Sequence, residues 1–378
     1  MQNVMRCWGA ACLLTLLLTS VLAAAQPSAQ AASPVQADLG YLEGRVVAVD
    51  EASRLAQVEL PGGEVVTADM GQAFPGEAGV PDDLPEFRVG QRVELYFSPG
   101  PDGERQYVVS DWVRRPALLW LLALFLVVSV AVAGYKGLRA FVSTGASLLI
   151  VIWFIVPRIL DGWSPALVSL LGVGGMLILA IYFVHGLSWS TTAALIGTFA
   201  AVLVTLLLGV GFTEWAQLTG FGSDEAMMIN TGAAQVNLKG LLLAGLLIGA
   251  LGALTDITIV QASVVRELAH ADPSFGLSEL YRRGMNVGND HVGSLVNTLV
   301  LAYTGAALPL FLLLNLSDFA PARALNIELV AAEVVHTLVG SVGLVLAVPL
   351  TTFIAALMFR GDKLPIAEGE LDHAHHHH

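Results

Sequence analysis

The stretch YRRGMNVGNDHVGSLVNTLVLAYTG, residues 281–305, carries amides and a carboxylate straight into an apolar run. On a helix advancing about 100° per residue, Asn286, Asp290, Gly293, Asn297 and Thr304 fall within roughly 60° of one another. Val292, Leu295, Leu299 and Leu301 lie mostly on other faces. In hydrocarbon an unpaired amide or carboxylate is costly, so this stripe is expected to face other helices or a wet cavity. It is the first place to look for function.

The rest of the chain fits a bilayer. Of 378 residues, 55% are hydrophobic and only 13% charged, and the mean hydropathy is +0.71. Soluble domains carry about 25% charged residues. Seven apolar stretches follow one another, at about 116–134, 138–157, 165–185, 190–210, 238–260, 291–314 and 329–358. Each supplies the roughly 20 residues that cross a bilayer at 1.5 Å per residue, and the last must tilt or project beyond it. The sequence therefore predicts a polytopic α-helical membrane protein of about seven transmembrane helices, with the lipid bilayer as its first partner.

Ahead of these spans lies a different pattern. Arg6, the apolar run Trp8–Leu22 and the small residues Ala23–Ala25 read as a secretory signal peptide over residues 1–25, with an uncleaved anchor as the alternative. Both cysteines, Cys7 and Cys12, lie within it, so a cleaved chain would have no disulfide, thiol nucleophile or thiolate metal site. An Ala-, Gln-, Ser- and Pro-rich linker, 26–37, leads into residues 38–112. There GRVVAVD, LAQVELP, GEVVTAD, QRVELYFS and RQYVVSDW alternate as strands, with turns at Pro61–Gly63 and Ser98–Gly103. They predict a small extracytoplasmic all-β barrel or sandwich, nearest in shape to an oligonucleotide-binding-type barrel. Fifteen acidic residues against five basic ones between Asp38 and Asp111 argue against nucleic acid as a partner. A cap or assembly module is the plainer use for such a domain.

A cleaved signal places this domain outside and the first span running inward. The loops at 134–138, 185–190 and 261–290 and the tail 361–378 are then cytoplasmic. They hold Lys136, Arg139, Arg266, Arg282, Arg283 and Lys363, with Arg360 at the edge of the tail, whereas the outer loops hold only Arg158, Lys239 and Arg323. The expected location is the bacterial plasma membrane with a cytoplasmic C-terminus. Between the fourth and fifth spans, Ser223, Asp224 and Glu225 read as the start of a surface or re-entrant helix, with a simple loop as the alternative.

Within the fifth span Gly245, Gly249, Gly252 and Asp256 share a face. The glycines suit close helix packing, and Asp256 needs a cation, a proton or a donor. It serves either an ion or proton role or packing against the sixth helix. Asn286, Asp290 and Asn297 offer oxygen ligands to a hard cation or polar solute, though Asp290 also suits a helix cap. Gly293 and Gly340 complete the candidate packing glycines. Glu333-Val-Val-His336 has the spacing of carboxylate-bridged metal sites but lacks facing carboxylates at its depth, so no metal or other cofactor is expected. Glu333 is assigned instead to a neighbouring helix or an outer vestibule. Soluble-enzyme signatures such as Gly-x-x-x-x-Gly-Lys or His-Glu-x-x-His are missing, and no enzyme is expected.

Three blocks, GALGALTDITIVQASVVREL (249–268), GMNVGNDHVGSLVNTLVLAYTG (284–305) and ELVAAEVVHTLVGSVGLVLAVPLTTFIAAL (328–357), resemble the YibE/F-like family of bacterial membrane proteins. The matching positions are Asp256, Asn286, Asp290, Asn297 and Glu333, while family members are expected to carry Arg where this chain has His336. The resemblance implies a plasma-membrane protein and no particular substrate. The expected function is a secondary transporter or permease of an ion or small polar solute. The alternative is a scaffold or sensor, in which the β-domain binds an extracytoplasmic partner or the chain forms a homo-oligomer.

Overall fold

The structure is a computed structural model that describes residues 40–50, 52–70, 87–99, 104–222, 226, 228, 236–317 and 320–360. The signal peptide, the linker, the helix start at Ser223–Glu225 and the tail expected from the sequence lie outside the described residues. The chain divides into two compact units, residues 1–128 and 129–378.

Alternation builds the first unit. Strands β1 (Gly40–Asp50), β2 (Leu55–Glu59), β3 (Val65–Asp69), β4 (Arg92–Pro99) and β5 (Arg105–Trp112) close a barrel in the order β1-β2-β3-β5-β4. Only β3 and β5 run parallel. This is the oligonucleotide-binding type of strand order. Every second side chain points inward, so Val46, Ala56, Val58, Val66, Ala68, Val93, Leu95 and Val109 fill the interior. The long strand β1 serves both neighbours, pairing with β4 from Gly40 to Arg45 and with β2 from Arg45 to Asp50, where the register shifts between Val46 and Ala48; a Cβ on Gly44 would stand 2.3 Å from Val58 Cγ1.

The helices are α1 (Arg115–Leu160, with a π-helical turn at Val151–Ile155), α2 (Pro165–Phe183), α3 (Trp189–Trp215) and α4 (Leu238–Ala271). After them come α5 (Leu277–Ala306), α6 (Leu308–Leu316) and α7 (Glu328–Phe359). Five of these are long and apolar enough to cross a membrane, or six if α5 and α6 count as one bent span. Helix α1 is interrupted at Gly134, whose φ of 56° and ψ of -137° suit glycine and little else. Serine supplies the start of α3, where Ser188 and Thr191 cap each other reciprocally.

Two expectations need correction. The loop read at 261–290 is almost entirely helical, because α4 runs to Ala271 and α5 begins at Leu277. Charge ended the apolar stretches without ending the helices: Glu279 pairs with Arg282 and Arg283 one turn on, which sustains α5 beyond its apolar part. The span read at 291–314 is not one straight helix. It bends by 59° between Ala306 and Leu308, since Pro309 lacks an N–H and clashes with the preceding turn.

Helix α7 is the packing axis of the second unit. It and α3 approach through small residues at eight-residue spacing, Gly197 against Thr351 and Thr205 against Gly343. A Cβ on Gly343 would stand 2.0 Å from Thr205 Oγ1, and one on Gly197 would stand 2.3 Å from Thr351 Oγ1. The core between α2, α3, α4, α5 and α7 holds Leu177, Ile181, Val202, Leu254, Leu299 and Leu344 among others.

Candidate functional site

Helix α4 sits between four neighbours and keeps one strip uncovered. Ile248 and Leu251 pack toward Val168 and Met176 of α2. Leu243 and Leu246 lie against Gly209 of α3, where Thr198 and Thr258 share a 2.5 Å hydrogen bond. On the other side Gln261 Nε2 donates to Gly284 O of α5 at 2.8 Å and to Thr352 Oγ1 of α7 at 2.7 Å. Between the α2 side and the α5 side Gly245, Gly249, Gly252 and Asp256 remain exposed. They form the floor of an open groove with a carboxylate at one end.

Three helices converge where this groove passes Gly245 and Gly249. His336 of α7 reaches Leu242 O of α4 with Nε2 at 3.0 Å, and its ring edge lies against Gly245, where a Cβ would be 4.0 Å from Cε1. Tyr303 of α5 covers Gly249, whose missing side chain makes room for the hydroxyl; a Cβ there would lie 2.3 Å from it. That hydroxyl is buried without a partner among the described residues. Glu333 lies close enough to act electrostatically on both Tyr303 and His336. Tyr303 was not singled out from the sequence, and neither was Gln261 as a tie between three helices.

At the other end, that of the carboxylate, Asp256 acts on His185, just past the end of α2. Burial, then the charges of Lys136 and Arg139, hold His185 below the ordinary imidazole value, with Asp256 opposing them. Arg139 lies over the ring of Phe183 at 5.2 Å, which fixes one of those charges.

The stripe on α5 is placed differently from the expectation. Gly284, Gly288 and Leu299 face the bundle, and Asn297 stands roughly 180° from Gly288 around the helix. Asn286, Asp290, Gly293 and Asn297 are therefore exposed, pointing away from the helices α2, α3, α4 and α7 of the second unit. The reason is steric. Gly284 and Gly288 are the positions that let α5 approach, with a Cβ falling 2.8 Å from Thr352 Cγ2 and 2.5 Å from Val348 Cγ1 respectively. Among the proposed packing glycines, Gly340 lies 3.6 Å by its Cβ position from Leu299 Cδ2, whereas Gly252 and Gly293 have nothing within 4 Å.

One contrast runs through all of this. Many interior polar groups are satisfied: Gln261 has two partners, Thr205 donates to Ala201 O, and Thr352 donates to Val348 O, whereas the hydroxyls of Ser169, Thr213, Thr351 and Tyr303 are buried without a partner among the described residues. The side chains of Asp256, Asn286, Asp290, Asn297 and Glu333 make no hydrogen bond or ion pair with another described residue. Among the described residues no three His, Cys, Asp or Glu side chains gather in a way that could hold a metal ion.

Residues 121–361 match the family described as YibE/F-like protein. The chain belongs to the YibE/F-like family. Comparison with curated proteins and with solved structures returns no match. The matched region takes in every helix from α2 to α7, and with them each of the five polar positions of this YibE/F-like protein.

Proposed function

We propose that this YibE/F-like protein is a secondary transporter or permease for an ion or small polar solute, not an enzyme. It acts in the bacterial plasma membrane with the β-barrel outside and the C-terminus in the cytoplasm. In this reading α1, interrupted at Gly134, crosses twice and the chain crosses seven times, an odd number as the orientation calls for. The α4 groove and the adjoining face of α5 line the path, and Asp256 is the ionisable group that couples to it.

One observation carries this reading. In a bundle where Gln261, Thr198, Thr205 and Thr352 are hydrogen-bonded, Asp256, Asn286, Asp290, Asn297 and Glu333 have no hydrogen-bond or ion-pair partner among the described residues. Polar groups that only glued helices of one chain together would be paired. Groups kept open at membrane depth are what a transported ion or solute requires.

The test is thermal unfolding of purified protein, wild type beside Asp256→Asn and Asn297→Ala, across monovalent and divalent cations, pH and small anions. A ligand of the folded state raises Tm by mass action. Stabilisation by one species, lost in both variants while their own Tm stays at the wild-type value, supports a site. Lowered Tm in the variants with no response to any species contradicts it and favours a scaffold whose β-barrel binds a partner.

A further inference from the structure

The outward faces of the helices in the second unit are of two kinds. Helix α3 exposes Ile196, Phe199, Leu203 and Leu207, and α7 exposes Leu338, Val342, Val345 and Phe353, which suits acyl chains. Helix α5 exposes Asn286, Asp290, Gly293, Ser294, Asn297 and Thr298, and this face is unsuited to them.

Depth makes the difference decisive. Gly288 packs against Val348, and Leu299 lies beside Gly340. Residues 288–299 of α5 therefore run alongside 340–348 of α7, which is the middle of the span Glu328–Phe359. On the other side Ala250, near the middle of α4, adjoins the same Gly340. Asn297 is thus level with the centre of two spans while facing outward. Side-chain amides exposed to hydrocarbon cost several kcal/mol each.

We propose that the polar face of α5 is the interface between two copies of this chain, paired about a two-fold axis along the membrane normal. Each Asn amide is both donor and acceptor, and Ser294 and Thr298 carry hydroxyls that are the same, so the amide and hydroxyl part of the face is complementary to itself and can donate to the Asp290 carboxylate of the other copy. Gly293 has nothing within 4 Å, which leaves the space a second α5 needs for close approach. The proposal does not depend on transport, since the face needs cover at that depth whatever crosses. If the transport reading also stands, the path is complete only in the dimer, because one copy supplies half of its polar lining.

The test is cysteine cross-linking in native membranes, in a Cys7→Ala/Cys12→Ala background. Gly293→Cys and Asn297→Cys are compared with Leu203→Cys and Phe353→Cys on the apolar faces. Oxidation is expected to give a disulfide-linked species at twice the mass of the reduced band in the same membranes for the first pair and not the second. In detergent, Gly293→Leu is expected to halve the particle mass and leave Tm within 1–2 °C, roughly the effect of an exposed substitution. No cross-link at either α5 position, equal cross-linking at the α3 and α7 controls, or a cross-linked species of any other mass would overturn the proposal. Loss of ligand response in Asp256→Asn with dimers intact separates failure of this inference from failure of the transport reading.

Discussion

Gly343→Ala adds one methyl group where α7 meets α3. Its Cβ would stand 2.0 Å from Thr205 Oγ1, with Thr205 Cβ at 3.2 Å and Cγ2 at 3.4 Å. The hydroxyl cannot simply turn away, because it donates to Ala201 O at 2.8 Å and is buried. Either the helices separate by several tenths of an ångström or that hydrogen bond is lost. Overpacking of this kind costs about 1–3 kcal/mol, against which alanine regains up to about 1 kcal/mol of helix propensity over glycine. The net expectation is about 1–2 kcal/mol, or a Tm lower by roughly 2–8 °C for a domain of this size. Thermal unfolding in detergent, followed by tryptophan fluorescence, reads it. Gly174→Ala on α2, with nothing within 4 Å, should be neutral or slightly stabilising. Combining Gly343→Ala with Thr205→Ala should recover at least half of the loss, because the clashing oxygen is gone. A Gly343→Ala protein as stable as Gly174→Ala would refute the close approach of α3 and α7.

Further outcomes follow from other parts of the molecule. Gln261→Leu removes the donor to Gly284 O and Thr352 Oγ1, and should cost about 1–2 kcal/mol and speed amide exchange in the first turns of α5; exchange confined to wild-type rates would contradict the three-helix tie. His185 has a lowered folded value, so the unfolded chain binds more protons around pH 6 and stability falls as pH drops below about 6.5. His185→Gln should flatten Tm between pH 7.5 and 5 relative to wild type, and an unchanged slope would show the imidazole is not responsible. In the barrel Leu95 is fully buried, and Leu95→Ala should cost about 2–5 kcal/mol, read as loss of strand signal at lower denaturant.

The barrel was legible because period-two alternation in strands as short as LAQVE leaves only one inward set, Ala56 and Val58. The apolar helices were legible for the same kind of reason, since a bilayer demands about 20 apolar residues in a row. Their ends were not. The segment around Glu279, Arg282 and Arg283 is too charged for hydrocarbon yet helical, and hydropathy cannot separate leaving the membrane from leaving the helix. The α5 stripe was read correctly as one face, but periodicity says nothing about which face packs. Gly284 and Gly288 decided that, as the places where α5 can come within reach of Val348 and Gln261. Tyr303 over Gly249 was out of reach for a related reason: the pair is 54 residues apart in sequence and is made by the antiparallel turn at 272–276.

The most direct measurement of the central claim is charge movement in reconstituted membranes. Proteoliposomes of wild type and Asp256→Asn are adsorbed on a solid-supported membrane and exposed to jumps of pH, Na+, K+, Mg2+ and small anions. If the open polar groups of α4 and α5 line a transport path, at least one jump evokes a current in wild type that is absent from Asp256→Asn protein of equal Tm. Currents equal in the two proteins, or none from wild type under every jump, would contradict it.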